Sequence, residues 1–97
     1  MRYEFEWDPS KAGKNLEKHE VAFEEAASVF FDPLAVSRLD DSTVSEERWI
    51  TVGMSRSARL VLVVHTYVET DHDAATIRMI SARLPTKRET RRYETAP

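Results

Sequence analysis

The sequence predicts an α+β fold in the order β-α-α-β-β-β-β-α, an antiparallel meander sheet with helices packed on one face. Three observations predict it. Residues 2–7 alternate between aromatic and polar side chains, the period of a half-buried strand. Phe23, Ala26, Ala27, Phe30 and Phe31 form one apolar stripe at helical spacing. The second half of the chain holds three apolar segments joined by short polar connections, as consecutive antiparallel neighbours are.

In the first strand Tyr3, Phe5 and Trp7 share one face and Arg2, Glu4 and Glu6 the other. Asp8-Pro9 supplies an N-cap and a proline at the first helical position, so a helix is expected to about residue 18. Its apolar positions are few, chiefly Ala12 and Leu16, and Gly13 weakens it. The second helix carries Glu24 and Glu25 in its first turn, where the positive helix end favours them. Asp32-Pro33 ends it, because the residue before proline is pushed out of the α region. Residues 34–39 read as a short strand, 40–46 as a loop, and 48–54 as the next strand. Residues 60–67 (LVLVVHTY) are apolar on both faces and are expected at the sheet centre. A polar hairpin tip at 70–75, a strand at 77–82 and a helix at 85–94 complete the chain.

Ninety-seven residues make one domain, 1–97. A composition 41% hydrophobic and 32% charged is that of a globular protein. The lack of cysteine excludes a disulfide framework, a thiolate metal site and a cysteine nucleophile. No apolar run approaches the roughly 18 residues of a membrane span. The first residues lack the layout of a signal peptide, so a cytoplasmic location is expected. The net charge of −3 conceals a division. Residues 1–47 carry 12 acidic and 5 basic side chains, and residues 48–97 carry 5 acidic and 9 basic. Such a chain can meet a polyanion with its second half.

The basic groups concentrate in Thr76–Glu94, an apolar strand that hands over to a cationic helix. Arg78, Arg83, Lys87, Arg88, Arg91 and Arg92 lie there, with Glu89 opposing them. Two readings fit. The helix is a solvated surface docked by Tyr93, or Arg83 and the helix hold phosphate while an aromatic stacks on a base. Arginine suits phosphate because its planar fork binds two oxygens. Glu47 and Arg48 are a surface pair or a proton acceptor beside a charge stabiliser. Lys18 and His19 compensate a helix C-terminus or face a cleft. His65, inside the central strand, is expected as a hydrogen-bonded core residue. His72, between Asp71 and Asp73, has no second cluster to make a metal site. No metal or cofactor is expected.

Several runs together resemble the BrnT family, ribonuclease toxins of type II toxin–antitoxin pairs. They are FEWDPSKAGKNLEKHEVAFEEA (5–26), FDPLA (31–35), SEERWITVG (45–53), LVVHT (62–66), IRMISAR (77–83) and KRETRRYE (87–94). The resemblance covers nearly the whole chain and implies a RelE-like fold. It implies a metal-independent endoribonuclease, neutralised by a BrnA-like antitoxin with which it forms a hetero-oligomer. Operator DNA is then met only indirectly, through the antitoxin.

By motif, the resemblance points to Lys18, His19, Glu47, Arg48 and Arg83 as catalytic candidates. It points to Arg88, Glu89, Arg92 and Tyr93 in the last helix, and the basic pattern adds Arg78 and Lys87 for RNA binding. The expected reaction is attack by the RNA's own 2′-hydroxyl. Arg83 and Arg48 stabilise phosphate, Glu47 or His19 takes the proton, Lys18 or His19 returns one, and Tyr93 orients a nucleotide. The chain departs from the family in one place: Val68 and Glu69 follow LVVHT where an arginine is expected. That departure gives the alternative, a weak or inactive antitoxin-binding module acting in operon autoregulation.

Overall fold

A computed structural model describes residues 1–42 and 46–96. Residues 43–45, within the loop expected at 40–46, lie outside the described residues. The elements are β1 (Arg2–Glu6), α1 (Pro9–His19), α2 (Phe23–Ser28) with a 3₁₀ turn (Val29–Phe31), β2 (Val36–Leu39), β3 (Trp49–Met54), β4 (Leu60–His65), β5 (Val68–Asp71), β6 (Ala74–Arg83) and α3 (Lys87–Thr95). The α+β class and the strand–helix order hold, with one strand more than expected.

The sheet runs β1-β6-β4-β3-β2, with β4 at its centre. Two features correct the antiparallel meander. β1 lies parallel to β6, pairing Arg2 with Ala74 through Glu6 with Arg78. The first strand closes the sheet beside the last, a non-local pairing that no short connection announces. β5 is the added strand: Val68 pairs with Thr76 and Glu69 with Ala75. All four of its residues are exposed, so it has no apolar alternation to betray it.

Register sorts the side chains onto two faces. Thr51, Gly53, Val61, Val63 and His65 share the first face with Ile77, Met79 and Ala82. There they meet Val21, Phe23, Ala26 and Val29, all fully buried, and the half-buried Tyr3, Phe5 and Trp7. Val36, Arg38, Ile50, Val52, Leu62, Val64, Ser81 and Arg83 share the second face. α3 lies over that second face, against Val36, Ile50, Val52 and Leu62. The helices therefore occupy both faces, not one. The reason is the chain direction: Arg83, the last residue of β6, points to the second face and ties α3 there.

α1 starts as its sequence dictates, with the Asp8 carboxylate accepting from the Ser10 N–H and Pro9 at the first position. Its buried position is not Leu16, which is half exposed, but Asn15. Past Glu6, β1 no longer covers β6. There Asn15 stands in for the missing strand: its Nδ2 donates to the Ala82 carbonyl at 2.9 Å and its Oδ1 accepts from the Ala82 N–H at 3.0 Å. A third bond runs from Nδ2 to the Val21 carbonyl. α2 is fixed by Glu25, which takes both arms of the Arg59 guanidinium at 2.7 Å and the Ser55 hydroxyl. The apolar stripe is buried at Phe23 and Ala26, but Phe31 is 66% exposed because the helix tightens to a 3₁₀ turn before reaching it.

Gly53 sets how closely that turn approaches β3. A Cβ there would lie 2.7 Å from Val29 Cγ1, 3.0 Å from Ala35 Cβ and 3.2 Å from the Val29 carbonyl oxygen. Gly53→Ala should cost about 1–3 kcal/mol by overpacking, read as a lower urea midpoint at unchanged slope.

Candidate active site

The second face gathers arginines. Arg38 lines a groove with Arg92 and Glu89 at its rim and Val36, Ile50, Val52 and Leu62 in its floor, ≈ 140 Å³ in volume. Arg83 lies at the β6 end of the same face. Because Ile77 is in the first-face core, strand alternation turns Arg78 to the second face. Glu46 joins Arg78 at 2.5 Å and Arg48 at 3.6 Å, so these two arginines flank one carboxylate. Arg38 faces Ile50 across the strands. Arg48, two residues before Ile50, is thus its diagonal neighbour.

Three of the five arginines are committed to carboxylates to different degrees. Arg83 gives its Nη1 and Nη2 to the two oxygens of Glu89, at 2.9 and 3.0 Å. Glu89 also accepts from the Thr86 N–H, and Thr86 caps the Glu89 N–H in return. The Arg83 fork is the largest cause of a Glu89 carboxyl held down at about 2, with burial opposing and the Thr86 N–H assisting. Glu46 with Arg48 and Arg78 is a more open arrangement, each side chain between 34% and 45% exposed. The Nε of Arg48 is buried without a hydrogen-bond partner among the described residues.

The Glu89 lock has a pH signature. Its folded pKa lies below the ordinary carboxyl value of 4.5, so its stabilisation is present above that pH and is lost as pH falls toward about 2. The Arg83 side chain is 39% exposed, so solvent screening reduces the gain to about 1–2 kcal/mol. Glu89→Gln should lose that amount at pH 7, and the gap to the parent in thermal melts should close near pH 2.

α3 docks through polar groups. Glu89, Thr90 and Tyr93 are half-buried toward the sheet, while Lys87, Arg88, Arg91 and Arg92 are exposed. The Tyr93 hydroxyl donates to Asp32 at 2.6 Å, which pushes its pKa up to about 12. Asp32 also accepts from the Met54 and Leu34 N–H groups. Although burial works against the Asp32 charge, these bonds lower its pKa overall. Tyr93 is thus a strut between α3 and the segment before β2.

The sequence-named residues fall into two places. Arg48, Arg78, Arg83 and Arg92 share the second face. Lys18 and His19 end α1, which packs on the first face. That helix end lies by the β3–β4 turn, where Arg59 donates to the Glu20 carbonyl. Arg48 precedes the opposite end of β3, roughly 17 Å away along the strand. Lys18 and His19 are therefore not brought together with Glu47 and Arg48. Glu47 is exposed, and its neighbour Glu46 is the residue that meets the arginines. Arg38 and Glu46 join the site without a motif in the sequence to single them out. Strand alternation is the signal for Arg38, which lies two residues after Val36 and so shares its face. Among the described residues, no three His, Asp or Glu side chains cluster as metal ligands.

Comparison with known proteins bears on this geometry. A family model described as "Ribonuclease toxin, BrnT, of type II toxin-antitoxin system" matches residues 7–89. The 1.1 Å crystal structure of the Brucella abortus ribonuclease toxin BrnT is similar in fold, with a TM-score of 0.54 and 17% identity. The match covers 90% of this chain and 100% of that one. No curated protein matches the chain.

Proposed function

The chain belongs to the BrnT family of ribonuclease toxins of type II toxin–antitoxin systems, and from that premise we propose a metal-independent endoribonuclease whose active face is the arginine-lined second face of the sheet. The observation that carries this is that Arg38 and Arg92 line one apolar-floored groove while Arg48, Arg78 and Arg83 lie on the same face of the sheet. Five guanidinium groups on one face suit a phosphodiester chain, because phosphate contacts dominate nucleic-acid affinity.

In this reading the nucleophile is the RNA's own 2′-hydroxyl. Glu46 takes its proton as the 2′-oxygen bonds to phosphorus, and Arg48 stabilises the charge developing there. The bond from phosphorus to the 5′-oxygen breaks, leaving a 2′,3′-cyclic phosphate, and the departing 5′-oxygen takes a proton from water. Glu46 replaces Glu47 in that role because it is the carboxylate beside Arg48. Arg38 and Arg92 hold the flanking backbone. Arg83 acts through Glu89, keeping α3 and Arg92 in place. Lys18 and His19, on the other side of the molecule, contact outlying parts of a long RNA at most. Cleavage of messenger RNA inhibits translation.

A type II toxin has an antitoxin partner. The groove favours an occupant with apolar side chains for Val36, Ile50, Val52 and Leu62 and carboxylates for Arg38 and Arg92. A BrnA-like antitoxin segment of that kind blocks RNA by occupying the same face, in a hetero-oligomer that reaches operator DNA through the antitoxin. Induced expression of the chain in a bacterial host should arrest growth, and co-expression of the antitoxin from the adjacent gene should restore it. Growth unaffected at equal protein level would count against the toxin reading.

One observation favours the weaker alternative, an antitoxin-binding module with little turnover. Val68 and Glu69 stand in β5 where the family's arginine is expected, and both are exposed. The two readings divide on whether RNA is cut.

A further inference from the structure

The first face holds a second cleft, ≈ 330 Å³, between the 3₁₀ turn and the strands β2, β3 and β4. Its walls are Tyr3, Phe30, Trp49 and Tyr67, its floor carries Ser37, Thr51 and His65, and Asp32 and Ala35 complete its lining. The volume falls at the lower end of the about 300–1,000 Å³ of small-ligand pockets. Four aromatic rings around one opening suit a flat ring that can stack. Neither the Tyr3 and Tyr67 hydroxyls nor the Trp49 indole N–H has a hydrogen-bond partner among the described residues.

The floor is a hydrogen-bonded relay. His65 Nδ1 lies 3.0 Å from the Thr66 carbonyl, which only accepts, so Nδ1 carries the proton. Burial disfavours the imidazolium, so Nε2 is left as an acceptor. The Thr51 hydroxyl donates to Nε2 at 2.7 Å and accepts from the Ser37 hydroxyl at 2.7 Å. Phe30 holds the imidazole edge-on at 4.7 Å and 88°. The Ser37 proton is thereby spent inward, and its oxygen faces the cleft as an acceptor. The cleft thus offers stacking walls, two kinds of acceptor in the Ser37 oxygen and the Asp32 carboxylate, and three free donors. That set matches a heterocycle bearing both ring acceptors and an N–H group.

We infer that this cleft is a nucleobase subsite, taking an unpaired base of the RNA whose backbone lies on the arginine face. The inference rests on the ribonuclease reading for its choice of ligand. Continuity between the two sites supports it. Trp49 lines the cleft and Arg48, the residue before it, belongs to the arginine face, so the two sites meet at the start of β3. A base turned into the cleft keeps its own phosphate on the Arg48 side.

The test is a ¹H–¹⁵N NMR titration of the parent with the four ribonucleoside 5′-monophosphates and with ribose 5-phosphate, following the Trp49 indole signal identified by Trp49→Phe. The base-bearing ligands should shift that signal and bind about tenfold or more tighter than ribose 5-phosphate. Ser37→Ala, at an exposed edge position, should weaken them about 3- to 10-fold at an unchanged melting temperature. Equal affinity for ribose 5-phosphate, or unchanged binding by Ser37→Ala, would overturn the subsite. RNA cleavage without any base-dependent shift at Trp49 would remove the subsite and leave the ribonuclease reading. A base-dependent shift without cleavage would uphold the subsite and remove that reading.

Discussion

Arg48→Ala is expected to slow RNA cleavage by about 10²–10³-fold while the chain stays folded. The size follows from losing one positioned charge where negative charge develops. The residue is chosen on geometry. Its nearest carboxylate, Glu46, is 3.6 Å away, and its Nε has no hydrogen-bond partner among the described residues. The Arg48 side chain is 34% exposed and meets Glu46 only loosely, so its guanidinium is free to turn to a phosphate. Arg83 is the instructive contrast. Its fork is occupied by Glu89 at 2.9 and 3.0 Å, so Arg83→Ala should act mainly by loosening α3. The loss at Arg48 should appear in kcat more than in KM, as expected of an interaction made in the transition state. Lys14→Ala, an exposed change on α1, serves as control and should leave the rate unchanged. A rate for Arg48→Ala within threefold of the parent would remove Arg48 from the mechanism.

Asn15→Leu is expected to destabilise the fold by about 3 kcal/mol, more than Gly53→Ala or Glu89→Gln. The leucine has nearly the same volume but none of the three hydrogen bonds. The Ala82 N–H, the Ala82 carbonyl and the Val21 carbonyl would all lose their partner in a region closed to water. Each unsatisfied buried group costs about 1–3 kcal/mol, and partial relaxation keeps the sum below the maximum. For a chain of this length the melting temperature should fall by about 12–24 °C. A fall under about 4 °C would mean that β6 re-forms its edge without Asn15.

Much of this architecture is legible in the sequence, because it depends on local pattern. The alternation of Tyr3, Phe5 and Trp7 gives β1, Asp8-Pro9 gives the start of α1, and an apolar run gives the central β4. His65 reads as a bonded core histidine, and it is one. What escaped is non-local. Nothing near Glu4 or Thr76 says that they pair in parallel across the length of the chain. Asn15 looks like a surface residue of an amphipathic helix until the uncovered edge of β6 is known. β5 hides because its residues are all exposed, and α3 is held on the second face by side-chain contacts distant in sequence or beyond local pattern, Arg83 with Glu89 and Tyr93 with Asp32.

The candidate site shows the same division. Arginine enrichment after residue 76 is plain in the sequence, and three of those arginines, Arg78, Arg83 and Arg92, meet Arg48 on one face. Which carboxylate meets them is not plain, since Glu46 and Glu47 are adjacent and only the backbone direction separates them. Lys18 and His19 share a motif with the rest of the family pattern but not a place with Arg48. Tyr93 lies on α3 as expected, yet its hydroxyl is bound to Asp32.

The most direct measurement is incubation of the purified, partner-free chain with a long single-stranded RNA in excess EDTA, beside Arg48→Ala. The parent should cleave the RNA to leave 2′,3′-cyclic phosphate ends, and the variant should lose about 10²-fold or more of that rate. An intact RNA after incubation with folded parent protein, or cleavage that EDTA abolishes, would contradict a metal-independent ribonuclease on the arginine face.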